Sequence, residues 1–509
     1  MADIEKTQEA RHENVHSDAE SANKLAAVDT LHNDEATKVL AGYSGPLEWD
    51  DQEETRLRRK IDWRLMPVLI TTYGLQYYDK AMLGQAALFG LRTELHLLVG
   101  NRYSMAAAIF YLGFIVGAYP LMMLVQKYPI ERVASILVAV WGACLICTPA
   151  CTNYKGLYAQ RFFLGFLESG ISPAFMLVVG SFYKKQEQAL RMGLWYCATG
   201  YVSVFSPLVN YGLGQIHGSL ESWKYMYLFA GAVTIVWGIF LFWTLMPDPV
   251  RTKAFNERER YIAVARLRTN NSGVRNTHIK LDQIIELLLD VKFWLLFAIA
   301  FLSMIANGAI SSFLPIVIES LGHHTALQSL LLVMPAGAVA GTLQLALPYL
   351  AMKTTNLRIW LFLFAQSLTV LACFLLWLLP FSATGALLFA CYILPGVGAG
   401  YAVLMGVQVA NTAGYTKRAI ASAGLFIGYA FGNFAGPLLF KPKDAPQYNS
   451  AFAATTVTAI VAAVCGVLYR YACVWDNKKR DKAGVMEAFE HAYEDDLTDK
   501  KNPQFRYIL

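Results

Sequence analysis

Apolar residues in this chain gather into long uninterrupted runs instead of alternating with polar ones. After Arg64, runs of about 20 residues recur between short polar turns, each long enough to cross a bilayer as a helix. Twelve runs are present. Six cover about 64–90, 103–125, 132–151, 158–182, 191–214 and 225–246; six more cover about 293–318, 325–351, 358–379, 384–409, 418–440 and 451–474. The short alternating segments of a membrane β-barrel are missing. The pattern predicts an all-α membrane protein of twelve transmembrane helices in two six-helix halves, 61–246 and 293–475. A polar middle loop, 247–292, joins the halves, and polar tails, 1–60 and 476–509, flank them.

Composition agrees. Hydrophobic residues make up 56% of the 509 and charged residues 16%, against about a quarter charged in soluble proteins. The first 60 residues are polar, mostly acidic and poor in aromatics, which predicts a disordered tail without the apolar core of a signal peptide. Basic residues set the orientation. The tail ends in RLRRK, residues 56–60, and the loops on the same side hold Lys127, Arg132, Lys184, Lys185, Arg191, Lys353, Arg358, Lys417 and Arg418, with a strongly basic middle loop. The opposite loops hold fewer, chiefly Arg92, Arg102, Lys155, Lys224, Lys441 and Lys443. This bias predicts both termini in the cytoplasm, and a multi-pass protein of the plasma membrane is expected. The sequon Asn270-Asn271-Ser272 then stays inside. The net charge of +6 lies mainly in these loops and carries no nucleic-acid signal. Cys144, Cys147 and Cys151 have metal-like spacing but no nearby His or carboxylate, so they are read as packing residues; no metal and no other cofactor is expected.

The middle loop has its own signals. Asn256 and Glu259 have the spacing of a capping box opening a helix through ERERYIAVARLR. LDQIIELLLDVKFW reads as an amphipathic lead-in to the seventh span. Both are expected at the cytoplasmic surface, bridging the two halves.

Charges interrupt the first run at YYDKAMLGQA, residues 77–86, where Asp79 and Lys80 fall near the midpoint. A charge at that depth is unfavourable by roughly 2.5–3.5 kcal/mol even on mild insertion scales. At about 100° per residue, Gln76, Asp79, Lys80, Leu83 and Ala87 share one broad face, predicted to turn into the bundle. The fourth run, in RFFLGFLESGISP, places Arg161 and Glu168 two turns and roughly 10 Å apart on one face. The second half offers amides, Asn307, Gln344, Gln408, Asn411 and Asn433, and no clear mid-depth charge; Glu319 sits at an outer end. Low dielectric disfavours a charged carboxyl and lets it exchange protons near neutral pH, which makes Asp79 and Glu168 candidate proton-coupling groups. The alternative for Asp79 with Lys80, or Glu168 with Arg161, is a static ion pair that fixes helix packing, although ionisable residues inside a span are functional by default. For Gln408 and Asn411, substrate contact and interhelical hydrogen bonding are both open. Tyr73, Tyr77, Trp195 and Tyr201 stand either to line a cavity or to pack.

Several stretches resemble the fungal allantoate-permease-like transporters. NRYSMAAAIFYLGFIVGAYP resembles their second span, RFFLGFLESGISPAF their fourth, and LMPDPVRTKAFNERER their exit from the sixth. The most specific stretch is NTAGYTKRAIASAGLFIGYAFGNFAGPLLFKPKDAPQY, residues 411–448, with its NxxGxTKR and DAPxY elements. The resemblance covers about residues 60–475 in order. It implies the anion:cation symporters of the major facilitator superfamily, whose halves are related repeats around a midplane site. It also implies uptake of small organic acids and related solutes with protons. By resemblance, Asp79 is the span-one proton carrier, Lys80 the neighbouring cation where Arg is commoner, Glu168 the span-four carboxylate and Arg161 its partner. The loop PLMMLVQKYPIERV departs from the superfamily signature, with no Asp and no Gly, which leaves the gating salt bridges of that loop without their usual residues.

The expected protein is a monomeric secondary transporter that imports a small organic anion or zwitterion (allantoate, a vitamin acid, an amino acid or a related carboxylate) with protons. Asp79 and Glu168 are its expected coupling groups, and Lys80, Gln76, Arg161, Asn307, Gln408 and Asn411 its expected substrate contacts. Its partners are the substrate, protons and membrane lipid. Neither a nucleotide-binding loop nor a nucleophile–base or metal constellation appears, so neither ATP drive nor an enzyme is expected. Export of a secondary metabolite is the alternative direction. A transporter-like nutrient receptor is a third reading, against which the short tails weigh.

Overall fold

The protein, seen in a computed structural model, is described for residues 39–40, 42–97, 99–216, 218–267, 279–322, 326–380, 382–439, 447–484 and 496–509. The sequon, Lys441, Lys443, the Glu319 side chain and most of the DAPxY element lie outside the described residues, as does most of the N-terminal tail.

The apolar runs form helices. In the first half these are α1 (Asp51–Ala86), α2 (Arg102–Lys127), α3 (Ile130–Ile146), α4 (Tyr154–Glu168), α5 (Ile171–Phe182), α6 (Lys185–Tyr196), α7 (Ala198–Gly214) and α8 (Ser222–Thr244). The middle loop contributes α9 (Glu257–Ala265) and α10 (Leu281–Leu288). The second half holds α11 (Val291–Gly322), α12 (Ala326–Lys353), α13 (Arg358–Leu378), α14 (Thr384–Ile393), α15 (Val397–Asn411), α16 (Tyr415–Leu439) and α17 (Asn449–Ala483). Among the described residues, 10 helical stretches are long and apolar enough to cross a membrane. With α1 and the interrupted pair α6–α7, the order is consistent with twelve spans. Spans four, five and ten are each broken; in the tenth, a 3-10 turn at Leu394–Gly396 carries Pro395, which lacks the N–H that a continuous helix uses. Large apolar side chains such as Val236, Trp243, Trp360, Val464 and Leu468 stand exposed on the outside, the arrangement suited to lipid.

The first helix starts earlier than its apolar run. Asp50 caps it, accepting from the Glu53 backbone N–H at 2.6 Å, and Asp51, Glu53 and Glu54 fill its first turn, where acidic groups suit the helix dipole. Residues 51–60 are thus helical and not part of a disordered tail. Ion pairs anchor this polar extension: Lys60 with Glu259 at 2.7 Å, Asp62 with Arg191 at 2.7 Å, and Glu53 with Arg258 at 2.8 Å. Hydropathy carries no trace of such contacts, because they are made to chain segments far away in sequence.

The capping box forms. Asn256 Oδ1 accepts from the Glu259 N–H at 2.7 Å, and Glu259 Oε2 accepts from the Asn256 N–H at 3.0 Å. Its helix, α9, docks on the first half, with Arg266 buried against Glu187. Helix α10 docks instead on the second half, where Gln283 Oε1 accepts from the Lys417 N–H at 3.0 Å. The two helices therefore attach to separate halves and do not bridge them; residues 268–278 between them lie outside the described set.

Alternating helix directions bring the C-terminal ends of α2 and α5, and the N-terminal ends of α1, α6, α13 and α16, to the end of the bundle that carries the termini. The halves are bound together there. Gln126 donates to Thr416 Oγ1 at 2.8 Å, Arg418 to the Gly180 carbonyl at 3.3 Å, and Arg358 to the Lys185 carbonyl at 2.6 Å. Further in, Gly200 of α7 meets the Gly341 backbone of α12 so closely that no Cβ fits between them.

Residues 496–509 fold back under this same end. Asp499 pairs with Lys417 at 2.7 Å and accepts from the Tyr507 hydroxyl at 2.7 Å. Asn411 donates to the Ile508 carbonyl at 2.8 Å and accepts from the Ile508 N–H at 2.7 Å. Phe505 is buried beneath Lys185 of the first half, whose ammonium lies 3.4 Å from the ring centroid. Burial pushes the Asp499 carboxyl up, but the Lys417 ammonium, followed by hydrogen bonds from Lys417 and Tyr507, outweighs this and holds it below the usual carboxylate range.

Candidate functional site

The two charges of the first span point to different places. Asp79 is buried inside the first half, where Trp141 Nε1 of α3 donates to its Oδ2 at 2.6 Å and the Thr234 hydroxyl of α8 lies 3.4 Å from the same oxygen. Lys80, one residue and about 100° further round the helix, faces α2 and α16. Its ammonium lies 3.3 Å from the Tyr429 hydroxyl and 5.2, 5.2 and 5.3 Å from the ring centroids of Phe110, Tyr111 and Tyr429. Asp79 and Lys80 do not pair, and no carboxylate among the described residues is within ion-pair reach of Lys80. The single broad face expected on α1 is therefore divided: Asp79 belongs to the interior of one half, and Lys80 to the boundary between halves.

Helix α4 supplies the second pair. It packs tightly on α2, because Gly165 meets the Phe110 carbonyl and Gly113 meets the Phe162 carbonyl with no space for a Cβ at either. That approach sets Arg161 5.1 Å from the Phe110 centroid, so Lys80 and Arg161 flank one phenyl ring. Arg161 and Glu168 are both buried. Neither Glu168 oxygen has a hydrogen-bond partner, nor have Nε and Nη1 of Arg161, and the two side chains form no ion pair. Oδ1 of Asp79 is likewise unpartnered. The static-pair alternative thus describes neither Asp79–Lys80 nor Arg161–Glu168 in this conformation. Gln76 completes the cluster, donating to the Glu168 backbone carbonyl at 3.1 Å and accepting from Ser172 at 3.2 Å.

A narrow cavity opens here between the halves, bounded by Gln76, Tyr77, Lys80, Ser172, Phe426 and Tyr429. Tyr73 also lines it, backed by Trp195 at 4.6 Å between centroids. Tyr201 lies elsewhere, partly exposed beside Gly341.

The amides of the second half are not at Lys80. Asn307 donates to Asn433 Oδ1 at 2.8 Å, and Asn433 donates to the Tyr429 carbonyl at 2.8 Å, so Asn307 braces α16 one turn beyond the site. Gln408 and Asn411 sit roughly 10 Å or more along α15 from Tyr401, at the end that carries the termini. Gln408 accepts from Ser422 at 3.1 Å and Asn411 holds the C-terminal segment. Both are interhelical or tail contacts here. Sequence reasoning missed Trp141 and Thr234, which hold Asp79, and the rings of Phe110, Tyr111, Tyr401 and Tyr429. The available signal was Tyr429 itself, set among the small residues of FIGYAFGNF.

Comparison with known proteins gives this arrangement its family. Residues 69–420 match the sequence profile of the Major Facilitator Superfamily. The Allantoate permease of Saccharomyces cerevisiae is 31% identical over 494 residues, covering 94% of this chain and 90% of that protein. The Thiamine pathway transporter of the same yeast is 31% identical over 96% of this chain and 92% of its own length. An uncharacterized transporter of Schizosaccharomyces pombe is 32% identical over 93% and 89%. Among solved structures, the proton:xylose symporter XylE superposes with a TM-score of 0.64 at 13% identity, covering 80% of this chain and 94% of that one. The human organic anion transporter MFSD10 superposes with a TM-score of 0.57 at 14% identity, covering 80% and 99%. At such identities the structural likeness carries the fold alone. The chain belongs to the Major Facilitator Superfamily: it is a multi-pass membrane transporter of small molecules, related to fungal permeases, and not an enzyme.

Proposed function

We propose that this protein imports a small organic anion or zwitterion together with protons, by alternating access, across the fungal plasma membrane. What carries the reading is Glu168: a buried carboxylate with both oxygens unpartnered, its backbone held by Gln76, which lines the cavity between the halves together with Lys80. A static structural carboxylate would be paired, since an unpaired buried charge is strongly unfavourable. Protonation of Glu168 removes the internal negative charge that competes for Lys80 and Arg161. The substrate's carboxylate then takes its place at Lys80 and the Tyr429 hydroxyl. Asp79, with Oδ1 unpartnered and Oδ2 held by Trp141, is the second group that takes up a proton. With both termini cytoplasmic, the end closed by Arg358, Arg418 and the C-terminal segment is the cytoplasmic gate. After the halves rock, the lower proton activity inside empties Glu168, and its restored charge expels the anion. Lys80 has no carboxylate partner to be released from in this conformation, so the anion is admitted by protonation of Glu168 together with opening of the cavity.

Purified protein in liposomes tests the reading. With the interior alkaline, labelled small carboxylic acids, allantoate first, are expected to accumulate above equilibrium and to leak back when the gradient is collapsed. Uptake that is indifferent to the gradient would contradict coupling.

A further inference from the structure

We propose that α10 is an in-plane membrane helix, seated in the leaflet at the end that carries the termini and held there by anionic phospholipid. Its faces are the reverse of those of an ordinary surface helix, which turns its apolar stripe to the core. The inward face is polar. Gln283 Oε1 accepts from the Lys417 N–H at 3.0 Å, and Glu286 accepts from the Lys417 ammonium and from the Thr498 hydroxyl, each at 2.9 Å. Asp290 lies 3.5 Å from the same ammonium. The outward face is apolar: Leu281, Ile285 and Leu289 are 69%, 59% and 75% exposed. At about 100° per residue these two sets lie on opposite sides of the helix. The contacts to Lys417 fix its rotation, so the apolar stripe stays turned out. A helix apolar on one side and charged on the other suits the plane of the membrane–water interface.

The level of α10 agrees. Trp294, in the first turn of α11, donates its indole N–H to the Leu288 carbonyl at 2.7 Å. Trp63, Trp243, Trp294, Trp360 and Trp475 are all exposed, and all lie toward the end of their helices that is nearer the termini. Exposed tryptophans gathered at one end of a set of spans mark a membrane–water interface. The stripe on α10 is thereby tied to this belt. It is continuous with the lipid-facing surface of α11, where Val291 and Trp294 stand exposed.

Charge on the neighbouring helix selects the lipid. Lys292 of α11 pairs with Asp476 of α17 at 2.6 Å, which sets Trp475 level with the start of α11. Tyr471 and Trp475 are exposed on one face of α17. Lys478, Lys479 and Lys482 follow, exposed and within about 60° of Trp475 around the helix. Outward from the bilayer this strip runs from rings to cations, the order in which a phospholipid presents its interface and its phosphate. With this end cytoplasmic, as proposed above, its leaflet is the one rich in anionic lipid. On its inward side α10 holds the C-terminal segment, through Gln283 to the Asp496 carbonyl at 3.0 Å and through Glu286 to Thr498. Lipid and the C-terminal segment thus meet opposite faces of one helix.

Photo-cross-linking of the full-length protein in liposomes tests this. The probes are phosphatidylserine and phosphatidylcholine, each with a diazirine in its acyl chain, and the adducts are mapped by peptide mass spectrometry. Adducts are expected on residues 281–289, with about fivefold or higher yield from phosphatidylserine at equal mole fraction. Replacing Lys478, Lys479 and Lys482 together by Gln should bring the two yields together and leave adducts on α10. The spans α11 and α13 serve as internal controls, labelled by both lipids in every variant. Adducts on those spans with none on residues 281–289 overturn the seat of α10 in the leaflet, as does cross-linking of α10 to a second copy of the chain in place of lipid. Equal yields from the two lipids in the unmodified protein overturn the anionic headgroup.

Discussion

Lys80 points its ammonium across the boundary between halves to the Tyr429 hydroxyl, 3.3 Å away. This contact joins the cation of the first half to α16 of the second, at the place where a solute would separate them. Tyr429→Phe removes one hydrogen bond to a charged group and leaves the ring. The expected loss is about 1.5–3 kcal/mol of solute binding, a tenfold or greater rise in KM. Lys80→Ala should raise KM further. Concentration-dependent uptake measures both, and an unchanged KM in the two variants would remove this pair from the binding step.

Asp79 depends on Trp141 in another sense, because the indole N–H has no other acceptor there. Asp79→Leu leaves that N–H buried and unpaired, which is expected to destabilise the fold by about 1–3 kcal/mol. Asp79→Asn keeps a carbonyl oxygen for Trp141 and should stay near the wild-type melting temperature in detergent. A larger loss for Asn than for Leu would contradict the assigned hydrogen bond.

The C-terminal segment gives a pH prediction with a definite sign. Docking depresses the Asp499 carboxyl, so its contribution is present above the undocked value of about 3.9 and is lost as pH falls through the lower docked value. A spin label at residue 500 is expected to report a docked segment from about pH 5 to 8 and a mobile one only below about pH 4. Lys417, Tyr507 and Lys292 all act on this carboxyl, and Asp499→Asn should loosen the segment across the whole range. Release near pH 6 would show that a different group controls docking.

Because Phe505 lies under Lys185, the same segment touches both halves. Phe505→Ala is expected to raise the fraction of molecules open at the end that carries the termini. A cysteine pair placed across α5 and α16 reads this as slower cross-linking, and unchanged cross-linking would limit Phe505 to holding its own segment.

Gly200 tests closure directly. Gly200→Val places methyl groups where the Gly341 backbone lies, propping α7 away from α12. Turnover is expected to fall at least tenfold, with expression and monodispersity retained. Normal turnover would mean that this approach relaxes without consequence.

The spans, the two halves and the Asn256–Glu259 capping box were legible because each rests on local pattern: run length, or residues three apart. Asp79, Lys80, Glu168 and Arg161 could be singled out because a charge inside an apolar run has no bland solvation. Their directions were not legible. Neighbours on a helix differ by about 100°, and which of Asp79 and Lys80 meets Trp141 and which meets Tyr429 depends on how α3 and α16 pack. Gln408 and Asn411 stayed open for a related reason: an amide in a span needs a partner, and sequence does not say whether that partner is a solute, Ser422 or the carbonyl of Ile508. The docked C-terminal segment was invisible because its polar residues find their partners on α10, α15 and α16, far away in the chain.

The central claim is that Glu168 couples solute movement to protons, and Glu168→Gln in liposomes tests it most directly. The amide cannot release a proton but leaves Lys80, Tyr429 and the cavity in place. Labelled solute should still exchange against unlabelled solute at a rate near that of the unmodified protein, while gradient-driven accumulation should disappear. Accumulation equal to the unmodified protein under the same pH gradient would contradict the account.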